Sequence, residues 1–157
     1  MKNPLTVTEA LEKLRTYCVY QERCHKEVKN KLYQLGIIPE AIEQIVGTLV
    51  AENYLNESRF AQQFAHGKFS IKHWGKIRIT KELKARNISD YDIQKALKAL
   101  DTDAYLTKIE AISEKKWVQL SQISVQAKKE KLYNYLVYRG WETALIYEQI
   151  NRLSAKN

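Results

Sequence analysis

The chain repeats itself. Displaced by 51 residues and then by a further 53, three segments align without a gap, and seven positions agree in character. Val28, Ile79 and Leu132 coincide, as do Leu32, Leu83 and Leu136. Next come Gly36, Asn87 and Gly140, followed directly by Ile37, Ile88 and Trp141. Ile42, Ile93 and Ile146 continue the series, then Val46, Leu97 and Ile150, and finally Leu49, Leu100 and Leu153. Such a period marks a tandem array, because one short unit cannot cover its own apolar surface and needs its neighbours to do so.

The spacing inside a unit says what is repeated. Val28-Leu32, Ile79-Leu83 and Leu132-Leu136 are i,i+4 apolar pairs on a helix that ends at the aligned Gly, Asn or Gly, residues that readily take a left-handed conformation. The i, i+4, i+7 series that follows marks a second amphipathic helix. Pro39 suits its first turn in unit one, and Ser89 with Asp92 forms a capping pair in unit two. A further helical stretch precedes each pair. It holds Ala10, Leu11, Leu14 and Cys18 after a Thr6/Glu9 capping box, then Phe60, Ala61, Phe64 and Ala65 after Asn56 and Ser58, then Leu106, Ile109 and Ile112 running toward Trp117. The expected fold is all-α: three three-helix, helix-turn-helix-like repeats over 1–55, 56–101 and 102–157, stacked into an elongated, curved array. Leu120 to Gln126, rich in Ser and Gln, is the expected loop.

Composition limits the partners. With 45% apolar and 28% charged residues in 157, the chain is neither a disordered tail nor a membrane protein. No apolar stretch approaches a bilayer span, and Met1-Lys2-Asn3-Pro4 leads into Leu5 and Thr6 without the apolar run of a signal peptide, so a cytoplasmic protein is expected. Cys18 and Cys24 cannot staple a framework. On a continuous helix Cys24 and His25 would point about 100° apart, and no second ligand pair follows, so the cysteines read as free small apolar residues and no metal or other cofactor is expected.

Lys and Arg number 26 against 18 acids, a net charge of +8. The excess is uneven: residues 1–56 are neutral, 57–101 carry +5 and 102–157 carry +3. With Ile79 and Leu83 facing inward, Arg78, Lys81 and Lys84 project outward around the apolar Ile77, and Lys68, Lys72 and Lys76 lead in with His73 and Trp74 between them. Cations interleaved with aromatics suit phosphates and base stacking. They suit equally an acidic groove on a protein filament, anchored by Ile77 and Trp74, and a solvated helix face would look the same. A second basic run is Lys128-Lys129 with Lys131. A base-reading helix-turn-helix protein is the alternative, but its recognition helices would begin Pro39-Glu40 and Asp90-Tyr91-Asp92, whose acids repel phosphates. For catalysis there is no Gly-rich phosphate loop, no nucleophile elbow and no carboxylate evidently paired with His25, His66 or His73.

Three stretches resemble one family. Tyr54-Leu55-Asn56-Glu57-Ser58-Arg59-Phe60-Ala61 is similar to a Tyr-Leu-acid-x-Arg-Phe-Ala signature. Gly75-Lys76-Ile77-Arg78-Ile79 with Glu82-Leu83 resembles a Gly-x-x-Arg-Ile-x-x-Glu-Leu helix. Tyr138-Arg139-Gly140-Trp141 resembles a closing Arg-Arg-Gly-Phe. Together they look like RecX, the bacterial regulator of the RecA recombinase. Asn87 replaces a usual Gly, Trp141 a usual Phe, and Glu57-Ser58 a commoner Asp. The resemblance implies a non-enzymatic protein of DNA recombination and repair that lies in the RecA filament groove and inhibits recombinase and ATPase activity. Its contacts would be a basic surface of Arg59, Lys68, Lys72, Trp74, Lys76, Ile77, Arg78, Lys81, Lys84 and Arg86, extended by Lys128, Lys129, Lys131 and Arg139. Non-specific contacts with the DNA backbone, single- or double-stranded, would assist, and the chain would act as a monomer.

Overall fold

Three positions where the backbone turns left-handed set the architecture. Gly36 (φ +79°), Asn87 (φ +60°) and Gly140 (φ +85°) each follow a helix, and at each the same cap forms. The amide one residue further on donates back into the helix: Ile37 to the Leu32 carbonyl, Ile88 to Leu83 and Trp141 to Leu136, each at 3.1 Å. Gly36, Asn87 and Gly140 donate to Tyr33, Lys84 and Val137 at 2.9–3.0 Å. This paired cap satisfies carbonyls that would otherwise be orphaned, and it throws the next apolar residue inward.

The computed structural model describes residues 5–155, so the absence of a leader at Met1–Pro4 lies outside it. Among the described residues there are nine helices and no strand: α1(Val7–Tyr20), α2(His25–Gln34), α3(Pro39–Ala51), α4(Glu57–Lys72), α5(Lys76–Ala85), α6(Asp90–Lys98), α7(Thr102–Gln119), α8(Val125–Tyr138) and α9(Thr143–Ser154). They form three successive triplets. Side chains start five of them, with Thr6, Asn56, Ser89, Asp101 and Ser124 accepting an amide hydrogen bond three residues on. Ser124 shortens the expected loop, because its cap begins α8 at Val125. Nor is the helix continuous at Cys24. α1 ends at Tyr20, and Cys24 opens α2 as its cap residue, donating its backbone amide to Glu27.

The aligned apolar positions are all buried, but they form two cores rather than one. The first, from Ala10 to Leu55, belongs wholly to α1–α3 and the turns around them. The second runs from Phe60 to Leu153 through both later triplets, with Cys24 reaching into it. Burial pushes the thiol of Cys18 up to about 11 and that of Cys24 to about 12. The native protein is therefore expected to react very slowly with a disulfide reagent at pH 8, and to expose two reactive thiols in urea. Rapid titration of either thiol without denaturant would contradict the burial.

The second and third triplets are joined backbone to backbone. Gly75 donates its amide to the Arg139 carbonyl at 2.8 Å, and Ile77 donates to that of Gly140 at 3.0 Å. The start of α5 thus caps the end of α8. A Cβ on Gly75 would lie 2.5 Å from the Gly140 carbonyl oxygen, and one on Gly140 would overlap Arg78. Around this contact the Trp141 indole donates to the His73 carbonyl at 3.1 Å. The Tyr105 hydroxyl accepts from the Lys76 amide at 2.8 Å and donates to Glu142. Burial, with Glu142 adding to it, holds that phenol far above its usual range. The first triplet joins the second through charged groups instead. Arg59 pairs with Glu22 at 2.5 Å, His25 lies 3.3 Å from Glu57, and Lys26 donates to the Ala85 carbonyl at 2.8 Å.

Gly36 provides an internal control for the glycine junction, because a Cβ there meets nothing within 4 Å. Gly36→Ala is expected to cost only the backbone strain, about 1 kcal/mol. Gly140→Ala adds the overlap and should cost about 3 kcal/mol or more. Urea unfolding checks this, and equal losses at the two sites would count against the junction as drawn.

Candidate functional site

α5 buries Ile79 and Leu83 and turns a mixed face outward, with Lys81 and Lys84 exposed and Ile77 exposed at 53%. No ion pair among the described residues reaches Lys81 or Lys84. Beside them runs a ladder of cations laid on aromatic rings. Arg86 sits 4.7 Å from the Phe64 ring, and Lys68 lies 5.4 and 5.1 Å from the rings of Phe64 and Trp74. Arg78 stands 4.2 Å from Trp74 and 4.8 Å from Tyr138, and it donates to the Tyr138 carbonyl at 3.1 Å. Lys76 lies 4.7 Å from the Tyr105 ring, and Lys72 projects exposed from the last turn of α4. Each such contact fixes a long side chain that would otherwise sample many rotamers. Trp74 sits in the middle of the ladder, edge-on to Phe64 and faced by two cations, so its ring is already occupied.

The later basic run reaches the same region through α8. Val137 and Tyr138, exposed at 45% and 71%, lie beside Ile77 and complete an apolar centre. With Arg78, Lys81, Glu82 and Gly140 these residues line a groove of about 370 Å³. Its one carboxylate, Glu82, is paired with Arg86 at 3.1 Å. On the other flank, Tyr138 also borders a pocket of about 580 Å³ that includes Lys131 and Arg139, whose guanidinium lies 3.9 Å from the Tyr135 ring.

Two expected contact residues have other occupations. Arg59 is spent on the first joint: besides Glu22 it donates to the Asn53 and Tyr54 carbonyls at 3.1 and 3.3 Å. Lys128 is only 6% exposed and rests 4.2 Å from the Trp117 ring, so it packs beneath the surface, while Lys129 is half-buried. Tyr138, Val137 and Phe64 join the site although charge did not single them out. The signal for Tyr138 was its place two residues past the buried Leu136, on the outward face of α8. His25 does have a carboxylate, Glu57, because the first residues of α2 and α4 meet. Burial raises that carboxyl above its usual range against the opposing pull of His25. His73 is driven the other way, below the usual imidazole range, by burial first and then by Lys108, Arg139 and Lys115.

The protein-family model for the second three-helix domain of RecX matches residues 56–97, the segment that carries the basic α5. The regulatory protein RecX of Prosthecochloris aestuarii is 25% identical over 92% of this chain and 93% of its own length. Both similarities support the RecX family. That of Pseudomonas syringae is 29% identical over 80% of this chain and 79% of its own. The chain spans about half the length of the Streptococcus agalactiae relative, at 26% identity. The crystal structure of RecX from Lactobacillus salivarius superimposes with a TM-score of 0.82, covering 95% of this chain and 97% of that one at 23% identity. A second crystal structure, of a regulatory protein RecX, gives 0.84 at 18% identity over 93% and 73%. The all-helical array of three-helix repeats is therefore the fold of solved RecX structures.

The site separates two lysines that look alike in sequence. Lys128→Glu places an acid in a covered position and is expected to lower stability by about 2 kcal/mol, whereas Lys131→Glu on the open face should stay within about 0.5 kcal/mol. Urea midpoints decide this, and similar losses would mean that Lys128 is not buried.

Proposed function

We propose that this chain binds a filament of the RecA recombinase and inhibits its recombinase and ATPase activity, as a monomeric, non-catalytic regulator in the cytoplasm. The observation that carries this reading is the groove between α5 and α8, where Ile77, Val137 and Tyr138 form an apolar centre framed by Arg78 and Lys81, with Lys131 and Arg139 on the other flank of Tyr138. An apolar, aromatic centre with a charged rim is the anatomy of a protein interface. A surface built only for phosphates gains nothing from Ile77 and Val137. The cationic frame suits an acidic groove on the partner, and DNA phosphates within the filament would add contacts to Lys72 and Lys84. The relatives' common description, regulatory protein RecX, supports a regulatory role. We take residues 1–55, 56–101 and 102–157 as the three repeats that present this surface. Base readout is disfavoured, since α3 and α6 carry Glu40 and Asp90 with Asp92 in their first turns.

The double variant Ile77→Asp/Lys81→Glu changes two exposed side chains and keeps the Ile77 amide that serves the junction. It should keep its helical circular dichroism and require at least tenfold more protein to inhibit RecA's DNA-dependent ATPase. Undiminished inhibition by the folded variant would move the contact elsewhere. Tight binding to one duplex sequence at physiological salt, without effect on RecA, would favour a transcription factor instead.

A further inference from the structure

The groove accounts for only one side of Tyr138. On the other side, the pocket between the end of α7 and the face of α8 has no carboxylate in its lining. It holds three cations, Lys116, Lys131 and Arg139. Two of these are already placed: Lys116 lies 5.0 Å and Arg139 3.9 Å from the Tyr135 ring. Cations held against a ring lose little further freedom when an anion arrives. Three side-chain amides, Gln119, Gln122 and Asn134, join them, each with both a donor and an acceptor. Leu120 and Ile123 supply apolar wall from the turn, and Tyr138 adds a ring that is 71% exposed.

We propose that this pocket takes an unstacked nucleotide of a single-stranded nucleic acid. The base stacks on Tyr138, its edge meets the amides, and its phosphate meets Lys131 and Arg139. The three features coincide with the three parts of a nucleotide: a flat π-face, a mixed donor–acceptor edge and an anion. An acidic peptide needs only the cations, whereas a nucleotide uses the cations, the amides and the exposed ring together. The volume falls within the range of small-ligand pockets, about 300–1,000 Å³. A strand is favoured over a free nucleotide because Tyr138 is shared with the groove that holds Arg78 and Lys81, a cationic continuation for the next phosphates. Trp74, the residue that sequence offered for stacking, has two cations on its ring, while Tyr138 has Arg78 alone and is 71% exposed. The proposal concerns the chain alone and stands apart from the reading of its filament partner.

The test compares labelled oligo(dT) with an abasic strand of equal length and charge, by fluorescence anisotropy at low ionic strength without any recombinase. The intact protein should bind the base-bearing strand about tenfold more tightly. Tyr138→Ala should abolish that preference while leaving the abasic affinity unchanged, and Tyr138→Phe should keep it. Ile123→Asp, a change in an exposed turn, should also erase it and provides a second route should the Tyr138 variant be unstable. A 2-aminopurine in the strand should be quenched by the intact protein and by Tyr138→Phe, but not by Tyr138→Ala. Equal affinity for the two strands would overturn the proposal, as would equal loss of both on Tyr138→Ala. So would thymidine monophosphate competing as well as the strand, or polyglutamate displacing oligo(dT) better than the abasic strand does.

Discussion

The molecule depends on a close approach that only two glycines allow. At Gly75 and Gly140 the start of α5 meets the end of α8 with no side chain between them, and the amides of Gly75 and Ile77 fill the carbonyls that α8 leaves open. One helix end supplies what another lacks, so the joint is held by directional bonds as well as by burial. Its register fixes everything around it. Tyr105 and Trp141 pack with ring centroids 4.5 Å apart beneath it, and Arg78 is carried over Tyr138 above it. The groove beside Tyr138 exists because this contact brings α5 and α8 to one place, while the pocket on its other flank is built by α7, the turn after it and α8.

The repeat made much of this legible in advance. Periodicity of 3.6 placed the helices and their buried faces, and the left-handed preference of Gly and Asn placed all three caps. Ser124 stood inside the expected loop as a cap, a distinction that needs the geometry of the Ala127 amide to see. The site was harder to read, because charge in a sequence says nothing about what a cation leans on. Arg59 and Lys128 look as available as Lys81, yet one ties Glu22 and two carbonyls while the other lies against Trp117. Tyr138 carries no charge, and in sequence it shows only as an outward-facing position of α8 inside a family motif. Its importance comes from α5 on one flank and the end of α7 on the other, neither of which a local pattern connects to it.

Among the described residues, ten of the chain's 26 Lys and Arg side chains are held on rings rather than waving in water. That arrangement changes what the net charge of +8 means. Arg86, Lys68, Arg78, Lys116 and Arg139 spend their freedom during folding, so a partner meets a patterned surface instead of a diffuse cloud. Lys81 and Lys84 remain the exposed, adaptable members. A surface of this kind discriminates by shape as well as by sign.

The division into two cores carries a consequence for how the chain is made. Everything that closes the first core lies between Ala10 and Leu55, so that triplet has all its apolar partners early in synthesis. The second core cannot be completed until Trp141 and Leu153 have emerged, because they are part of the same cluster as Phe60 and Ile79. While the ribosome works through that stretch, α4 to α6 wait with apolar surface uncovered, next to a finished neighbour that offers them little more than Cys24 and a set of charges. The glycine joint thus forms late in synthesis, and a chain stopped short of it would hold one finished domain and one that is missing its closing piece.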